Sequence, residues 1–201
     1  MISVLDLGLG NMLSVIRALD RLGARPRLVS NAEDLRLDRD VVVPGVGSFD
    51  AGMASLRERR LDHRLKTIAA DGSARILGLC LGMQLMFEAS TEGLSSGLGI
   101  VGGEVVRLQP QGSMRVPHMG WNHVTVSRET EVTERLPKPT RFYFAHSYYA
   151  IPQDSSIVTL SAEHGLTFCA SFEMDGLIGA QFHPEKSHRY GLEFLKGFTR
   201  K

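Results

Sequence analysis

A short apolar stretch runs directly into a cysteine that has a glycine two residues before it and another two residues after it: Gly78, Cys80 and Gly82. The residues before Cys80 favour a β-strand, and a helical pattern begins immediately after it. This spacing predicts a strand–nucleophile–helix turn, in which the central residue is strained and its neighbours must be small. The turn places the thiol at the start of a helix, whose dipole favours the reactive thiolate. A buried structural cysteine is the plainer alternative.

A histidine and a glutamate two residues apart, His183 and Glu185, follow another short apolar strand near the C-terminus. A cysteine nucleophile needs an imidazole to take its proton, and the imidazole needs a third group to fix its tautomer. Because Pro184 cannot continue a central strand, the chain turns there and the carboxylate can reach the far ring nitrogen. An isolated His-Pro-Glu is more often a surface turn. Together with Cys80, however, these residues predict a catalytic triad.

Strands alternate with helices over the first part of the chain, and strands dominate the rest. Strand patterns lie at 2–7, 25–30, 40–44, 74–79, 104–108, 123–126, 141–149, 157–162, 167–173 and 177–182. Helical patterns lie at 11–22, 50–70, 81–89 and 187–198, and residues 127–140 predict an exposed polar excursion. The alternation predicts an α/β fold with a doubly wound, mostly parallel sheet, followed by a portion made mostly of strands. A single domain is expected for residues 1–201.

Two glycine-rich turns follow predicted strands. The loop that contains Val46 and Gly47 ends the third strand, and the carboxyl ends of parallel strands share one edge, so we expect it near Cys80. The backbone amides of Val46 and Leu81 are then candidates for stabilising a developing oxyanion. The turn at Gly8–Asn11 lacks the third glycine of a dinucleotide fingerprint and predicts only a tight turn.

Charge and cysteine content narrow the classes of function. Lys and Arg number 23 against 22 Asp and Glu, a net charge of +1, which argues against nucleic acid or an anionic membrane as the main partner. Two cysteines, Cys80 and Cys169, are too few for a disulfide framework and fit a reducing compartment. The chain lacks the patterns of a signal peptide or a membrane span, so a cytoplasmic protein is expected. Neither a metal ion nor an organic cofactor is expected.

These motifs resemble those of the class I (triad-type) glutamine amidotransferases. The resemblance is carried by Pro44–Gly47, Gly78–Gln84 and His183–Glu185, and it extends from Val4 to the last helix. Within that class, Pro117–Asn122 above all is similar to the glutaminase subunits of imidazole glycerol phosphate synthase. The resemblance implies a three-layer, flavodoxin-like fold with an added antiparallel portion, formed by one type-1 domain.

The resemblance also implies roles for single residues. Cys80 would attack the side-chain amide of glutamine, His183 would pass a proton to the departing ammonia, and Glu185 would hold His183. Substrate contacts are implied for Gly47, Gln84, Glu92, His146, Ser147 and Tyr148. Contacts with a partner subunit are implied for Asn11, Trp121, Asn122, Tyr143 and Lys186.

That implied partner is a cyclase subunit with a (β/α)8 barrel, which would form a heterodimer with this chain. It would join the ammonia to a phosphorylated ribonucleotide in histidine biosynthesis. The products would be imidazole glycerol phosphate and aminoimidazole carboxamide ribotide.

Three other functions stay open from the sequence alone. A different triad glutaminase subunit, of the pyridoxal phosphate or anthranilate synthase type, would share the triad but is not expected to carry Pro117–Asn122. A cysteine peptidase on a similar fold would need an open groove for peptide. A non-catalytic regulatory module is the third alternative, although an intact triad argues against it.

Overall fold

The computed structural model describes residues 1–110 and 114–199, which form two sheets and five α-helices. The strands are β1 (Ile2–Leu5), β2 (Pro26–Val29), β3 (Val41–Gly45), β4 (Ile76–Cys80), β5 (Ala89–Ser90), β6 (Gly103–Arg107), β7 (His118–Val126), β8 (Thr140–His146), β9 (Tyr148–Pro152), β10 (Val158–Glu163), β11 (Thr167–Met174) and β12 (Leu177–Ala180). The helices are α1 (Met12–Arg21), α2 (Phe49–Glu58), α3 (Leu61–Asp71), α4 (Leu81–Gln84) and α5 (His188–Thr199). Within the described residues, no helix combines the length and the apolar character needed to cross a membrane.

The large sheet has the strand order β2-β1-β3-β4-β12-β11-β10-β7-β8. Its first five strands pair in parallel, in a flavodoxin-like order, and the remaining pairs are antiparallel. The second sheet has the order β5-β6-β9. The predicted α/β fold, with a parallel sheet and an antiparallel portion in the C-terminal half, is therefore confirmed. Pro26 lies in the edge strand β2, where its missing N–H costs no ladder bond.

Helices cover both faces of the parallel half and make three layers. The adjacent residues Val42 and Val43 of β3 point to opposite faces, and both are buried. Val43 belongs to the core that packs under α2 and α3, whereas Val42 belongs to the core under α1 and α5. Because both faces of these strands are covered, their sequences are apolar throughout rather than alternating.

The helix predicted over residues 81–89 is wrong in its length, because α4 ends at Gln84 and Ala89 begins β5. The carbonyls beyond α4 are taken by a neighbouring loop: Leu98 N donates to Leu85 O, and Gly99 N donates to Phe87 O. The residues from 81 to 87 are buried all round, so their apolar pattern is compatible with a helix of any length.

The single strand predicted over residues 141–149 is two strands that meet at Ser147. The first, β8, pairs with β7 in the large sheet, and the second, β9, pairs with β6 in the small one. The excursion predicted at 127–140 is not wholly exposed, since Val132 and Leu136 are buried in the core under α5. Both corrections reflect long-range packing, which a local pattern does not contain.

Candidate active site

Cys80 lies at the end of β4 in a backbone conformation that L-residues rarely adopt, with φ of 52° and ψ of −108°. A Cβ added to Gly82 would lie 1.7 Å from the carbonyl oxygen of Val43, and one added to Gly78 would lie 2.6 Å from that of Gly82. Neither position has room for a side chain. The predicted nucleophile turn is therefore present, although the helix that follows has only one turn.

His183 and Glu185 form the pair expected of a base and its orienting acid. His183 Nδ1 lies 2.9 Å from Glu185 Oε1, and both side chains are almost fully buried. The chain is held there by the hydroxyl of Ser187, which donates to His183 O and accepts from Tyr143 N. The pair thus sits on a fixed backbone at the edge of β8.

Burial works against a charged His183, but hydrogen bonds and charge at Cys80 and Glu185 outweigh it and raise the pKa of His183 to about 10. His183 Nε2 is buried and makes no hydrogen bond of regular geometry with the described residues. Its contact with Cys80 is therefore long or poorly aligned, as catalytic hydrogen bonds often are before substrate binds.

Gln181 is a polar contact of Cys80 that the sequence patterns do not predict. Its Nε2 donates to Cys80 Sγ at 3.7 Å, and its Oε1 accepts from Gln84 Nε2 at 3.0 Å. The side chain is fully buried at the end of β12. A glutamine inside an otherwise apolar strand pattern is the signal that could have found it, because buried polar groups need partners.

A cavity of about 300 Å³ opens above Cys80. It is lined by the predicted oxyanion and substrate residues Val46, Gly47, Leu81, Gln84, Glu92, His146, Ser147 and Tyr148, together with Pro117, Met119 and Ala145, which were not predicted. Three distant chain segments meet here because β3 and β4 pair side by side, with Gly45 opposite Cys80, and β8 ends at His146. The cavity has the size of a small-ligand site.

The polar groups of the cavity match an amino acid that carries an amide. Gln84 Nε2 donates to Tyr148 O and to Gln181 Oε1, both at 3.0 Å, so both of its hydrogens are used within the protein. Its Oε1 is then the atom left to accept from a ligand. Glu92 Oε2 accepts from Phe49 N at 2.7 Å, which fixes a carboxylate in the cavity wall where it can meet an ammonium group.

The predicted interface residues lie on more than one surface. Trp121 is 41% exposed, makes an edge contact with Tyr143, and lies near Lys186, which is over the Tyr143 ring. Asn11 caps α1 and lines a small cleft beside Glu185. Asn122, the neighbour of Trp121 in β7, faces the other side of its strand and bonds to Glu163 O. Their role in an interface stays a prediction.

The edge of a flavodoxin-like sheet thus brings Cys80, His183 and Glu185 together, the side-chain types that a thiol hydrolase needs. The sequence model of the family "Glutamine amidotransferase class-I" matches residues 3–201, and the chain belongs to this family.

Two relatives and one solved structure illustrate the likeness. "Imidazole glycerol phosphate synthase subunit HisH" of Moorella thermoacetica is 44% identical over 98% of this chain and 93% of its own. "Imidazole glycerol phosphate synthase subunit HisH 2" of Pseudomonas aeruginosa is 39% identical over 99% and 98%. The structure of PurLQS from Thermotoga maritima is 20% identical, covers 98% of this chain and 96% of its own, and superposes with a TM-score of 0.74, which supports the fold. Within its family, the chain groups with the HisH subunits.

Proposed function

We propose that this chain is the glutaminase subunit of an imidazole glycerol phosphate synthase. The observation that carries the proposal is the cavity over Cys80, which places an amide acceptor at Gln84 and a carboxylate at Glu92 beside a thiol next to a cationic histidine. Free glutamine presents a matching ammonium group and side-chain amide. The likeness to HisH subunits over nearly the whole chain supports the same substrate.

In the first half-reaction, the thiolate of Cys80 attacks the side-chain amide carbon of glutamine. The carbonyl oxygen becomes negative, and the backbone amides of Val46 and Leu81 are the proposed donors that stabilise it. The protonated His183 gives its proton to the departing nitrogen, so ammonia leaves and a thioester with Cys80 remains. Glu185 keeps His183 in the required tautomer throughout.

In the second half-reaction, water attacks the thioester. His183, now neutral, takes a proton from the water, and the tetrahedral intermediate collapses to release glutamate. The imidazolium and the thiolate are restored together, so the site returns to its starting state. No cofactor is required for this sequence of steps.

The ammonia needs an acceptor, and the proposed acceptor site lies on a partner subunit. HisH is by name a subunit, and we propose a (β/α)8-barrel cyclase as its companion in a heterodimer. The cyclase would use the ammonia to form imidazole glycerol phosphate and aminoimidazole carboxamide ribotide. The exposed group formed by Trp121, Tyr143 and Lys186 is the proposed contact, because aromatic residues and long cations anchor interfaces. Two unpaired cysteines fit a cytoplasmic location.

The test is glutamate release from glutamine, measured with the chain alone, with the cyclase subunit, and with the cyclase and its nucleotide ligand. We expect the rate of glutamate release to rise when the cyclase with its bound nucleotide ligand (the loaded cyclase) is added, if the loop at Val46 and Gly47 must reorient to supply an oxyanion donor. The gain would be about 10²- to 10³-fold, the usual worth of one such donor. Cys80→Ser should abolish turnover, and Trp121→Ala should weaken binding of the cyclase.

Casein cleavage without glutamate release would instead favour a peptidase. If a glutamine-mimicking electrophile fails to label Cys80 even with the loaded cyclase, the chain is not a glutaminase. Glutaminase turnover that responds to a pyridoxal phosphate or anthranilate synthase partner, and not to the cyclase, would assign the chain to another triad system.

A further inference from the structure

A series of hydrogen bonds that includes two buried histidines leads from β7 to the cavity. Asn122 Nδ2 lies 3.2 Å from His118 Nε2, and His118 Nδ1 lies 2.9 Å from His146 Nε2. His146 Nδ1 in turn lies 2.8 Å from Tyr148 O. The triad mechanism uses neither His118 nor Asn122.

A backbone carbonyl lies at each end of this series of hydrogen bonds. The two carbonyls fix which atom donates and which accepts in every hydrogen bond between them. A carbonyl only accepts, so His146 must carry its proton on Nδ1, and its Nε2 must accept from His118 Nδ1. At the other end, Asn122 Nδ2 donates to Glu163 O at 2.8 Å, so the nitrogen of this amide also faces His118 and donates to its Nε2. Both ends therefore require the same answer: His118 and His146 are neutral and carry their protons on Nδ1.

The surroundings keep water away from the two imidazoles. His118 is 4% exposed and lies between the stacked rings of Phe144 and His164, at centroid distances of 4.7 and 4.1 Å. Burial also lowers the pKa of His118 to about 4 and that of His146 to about 3. Because little water reaches the two imidazoles, a change in the hydrogen bond of one must be accommodated by the other.

This series of hydrogen bonds ends at the groups that face the substrate. Tyr148 O accepts from His146 and also from Gln84 Nε2, and Gln84 reaches Cys80 through Gln181. A shift of the Tyr148 carbonyl would therefore move the amide of Gln84 in the cavity. The same carbonyl fixes which atom of that amide faces a ligand.

We infer that Asn122 and His118 are positioning residues for the glutaminase site: their one-way hydrogen bonds through His146 fix the Tyr148 carbonyl and thereby orient Gln84 toward the glutamine amide. The effect on glutamine rests on the proposed function, whereas the direction of the hydrogen bonds does not.

The direction is tested by the nitrogen NMR shifts of ¹⁵N-labelled imidazoles in the full chain, assigned with single-histidine variants. We expect His118 and His146 both to be neutral and protonated on Nδ1. Asn122→Asp places an acceptor opposite His118 Nε2 and should move a proton onto that nitrogen. His164→Phe keeps the stacked ring outside the hydrogen-bonded chain and should leave both tautomers unchanged. An Nε2-protonated tautomer at either histidine in the native chain would overturn the inference.

The positioning role is tested by glutaminase kinetics of the complex with the loaded cyclase. His118→Asn retains a donor where Nδ1 stood, whereas His118→Leu has a similar size and cannot donate. We expect His118→Leu to raise KM for glutamine about tenfold, the worth of roughly one hydrogen bond, and His118→Asn to restore most of that loss. A variant that only reduced the folded fraction would lower kcat and leave KM unchanged.

If KM does not change in His118→Leu, or if His118→Asn is equally impaired, His118 has only a structural role and the inference fails. A native complex that releases no glutamate would instead refute the proposed function, and the imidazole shifts would still decide the direction of the hydrogen bonds.

Discussion

At the scale of single residues, the site depends on two glycines and one ion pair. Gly82 lets the backbone of the nucleophile turn pass within contact of Val43 O, which is how Cys80 reaches the edge of the sheet. Glu185 and His183 are buried together, and Glu185 Oε2 makes no hydrogen bond with the described residues. Within the described residues, His183 is therefore the hydrogen-bond partner of the Glu185 carboxylate. A substitution at Glu185 then acts mainly on His183.

Gly82→Ala should prevent or severely weaken folding, because its Cβ would lie 1.7 Å from a backbone carbonyl that cannot move freely. The expected loss in the free energy of unfolding is about 3 kcal/mol or more. Gly72→Ala is the control for a glycine substitution without steric overlap: unlike Gly82, Gly72 has a positive φ, but it has nothing within 4 Å of its Cβ position, and about 1 kcal/mol is expected there. Urea unfolding compares the two, and equal losses would show that steric overlap is unimportant at Gly82.

Glu185→Gln should lower kcat for glutamine hydrolysis by roughly 10³-fold with little change in KM, since it removes the charge that helps raise the pKa of His183 and can leave the wrong tautomer. The control is Glu193→Gln, which removes only a partly exposed ion pair with Lys196 on α5. Steady-state kinetics of the complex measure both variants. A loss below tenfold in Glu185→Gln would mean that Glu185 does not orient the base.

At the scale of elements, β4, the strand that ends at Cys80, is held at both ends. Its C-terminal end carries the strained turn, and its N-terminal end is tied to β3 by Asp40, which accepts from Arg75 N at 3.0 Å and from Arg75 Nη2 at 2.8 Å. Asp40 is 8% exposed, so little water is available to replace Arg75. The register that places Gly45 beside Cys80 begins at this contact.

Asp40→Ala should lower the free energy of unfolding by about 3 kcal/mol, because it leaves a half-buried guanidinium without its carboxylate. Asp34→Ala removes an exposed pair with Arg27 and should cost about 0.5 kcal/mol. Denaturant unfolding of both variants, with glutaminase assays at 25 °C, separates stability from catalysis. Similar losses in the two variants would contradict the account given for Asp40.

At the scale of the whole molecule, the antiparallel extension contributes two buried histidines to the large sheet. His118 and His146 lie on β7 and β8 and are neutral in the folded state, whereas histidines in the unfolded chain titrate near pH 6.5. The unfolded state therefore binds more protons below that pH. Acid should destabilise the protein through this region before its carboxylates are protonated.

We expect the contribution of His118 and His146 to the free energy of unfolding to be present in full above about pH 6.5 and to fall toward pH 4, by up to about 1.4 kcal/mol per pH unit for each histidine. His183 does not offset this loss, because its pKa is raised to about 10 and it is protonated in both states in that range. His118→Asn removes one of the two histidines that take up a proton on unfolding. It should reduce the slope of the free energy of unfolding against pH by about half between pH 6 and 5. An unchanged slope would show that His118 is already charged in the folded protein.

The sequence predicted the local features of the site better than the contacts between its distant parts. Cys80 with its two glycines, and His183 with Glu185, are recognisable because strain and spacing are encoded within a few residues. The helix after Cys80 was predicted too long, since the carbonyls of Leu85 and Phe87, just beyond its end, accept from the backbone of Leu98 and Gly99 in a later loop. Gln181 and His118 were missed because a lone polar residue in a strand does not reveal its partner.

By itself, the sequence determined the alternation of strands and helices, the strained turn at Cys80 and the spacing that brings His183 and Glu185 into contact. Those features depend on side-chain periodicity, on glycine at close approaches and on functional groups a few residues apart. Only the tertiary structure decided that β3, β4 and β8 converge on one cavity and that a carbonyl at each end fixes two buried tautomers. The reason is physical: hydrogen-bond direction and burial are properties of groups brought together from distant parts of the chain.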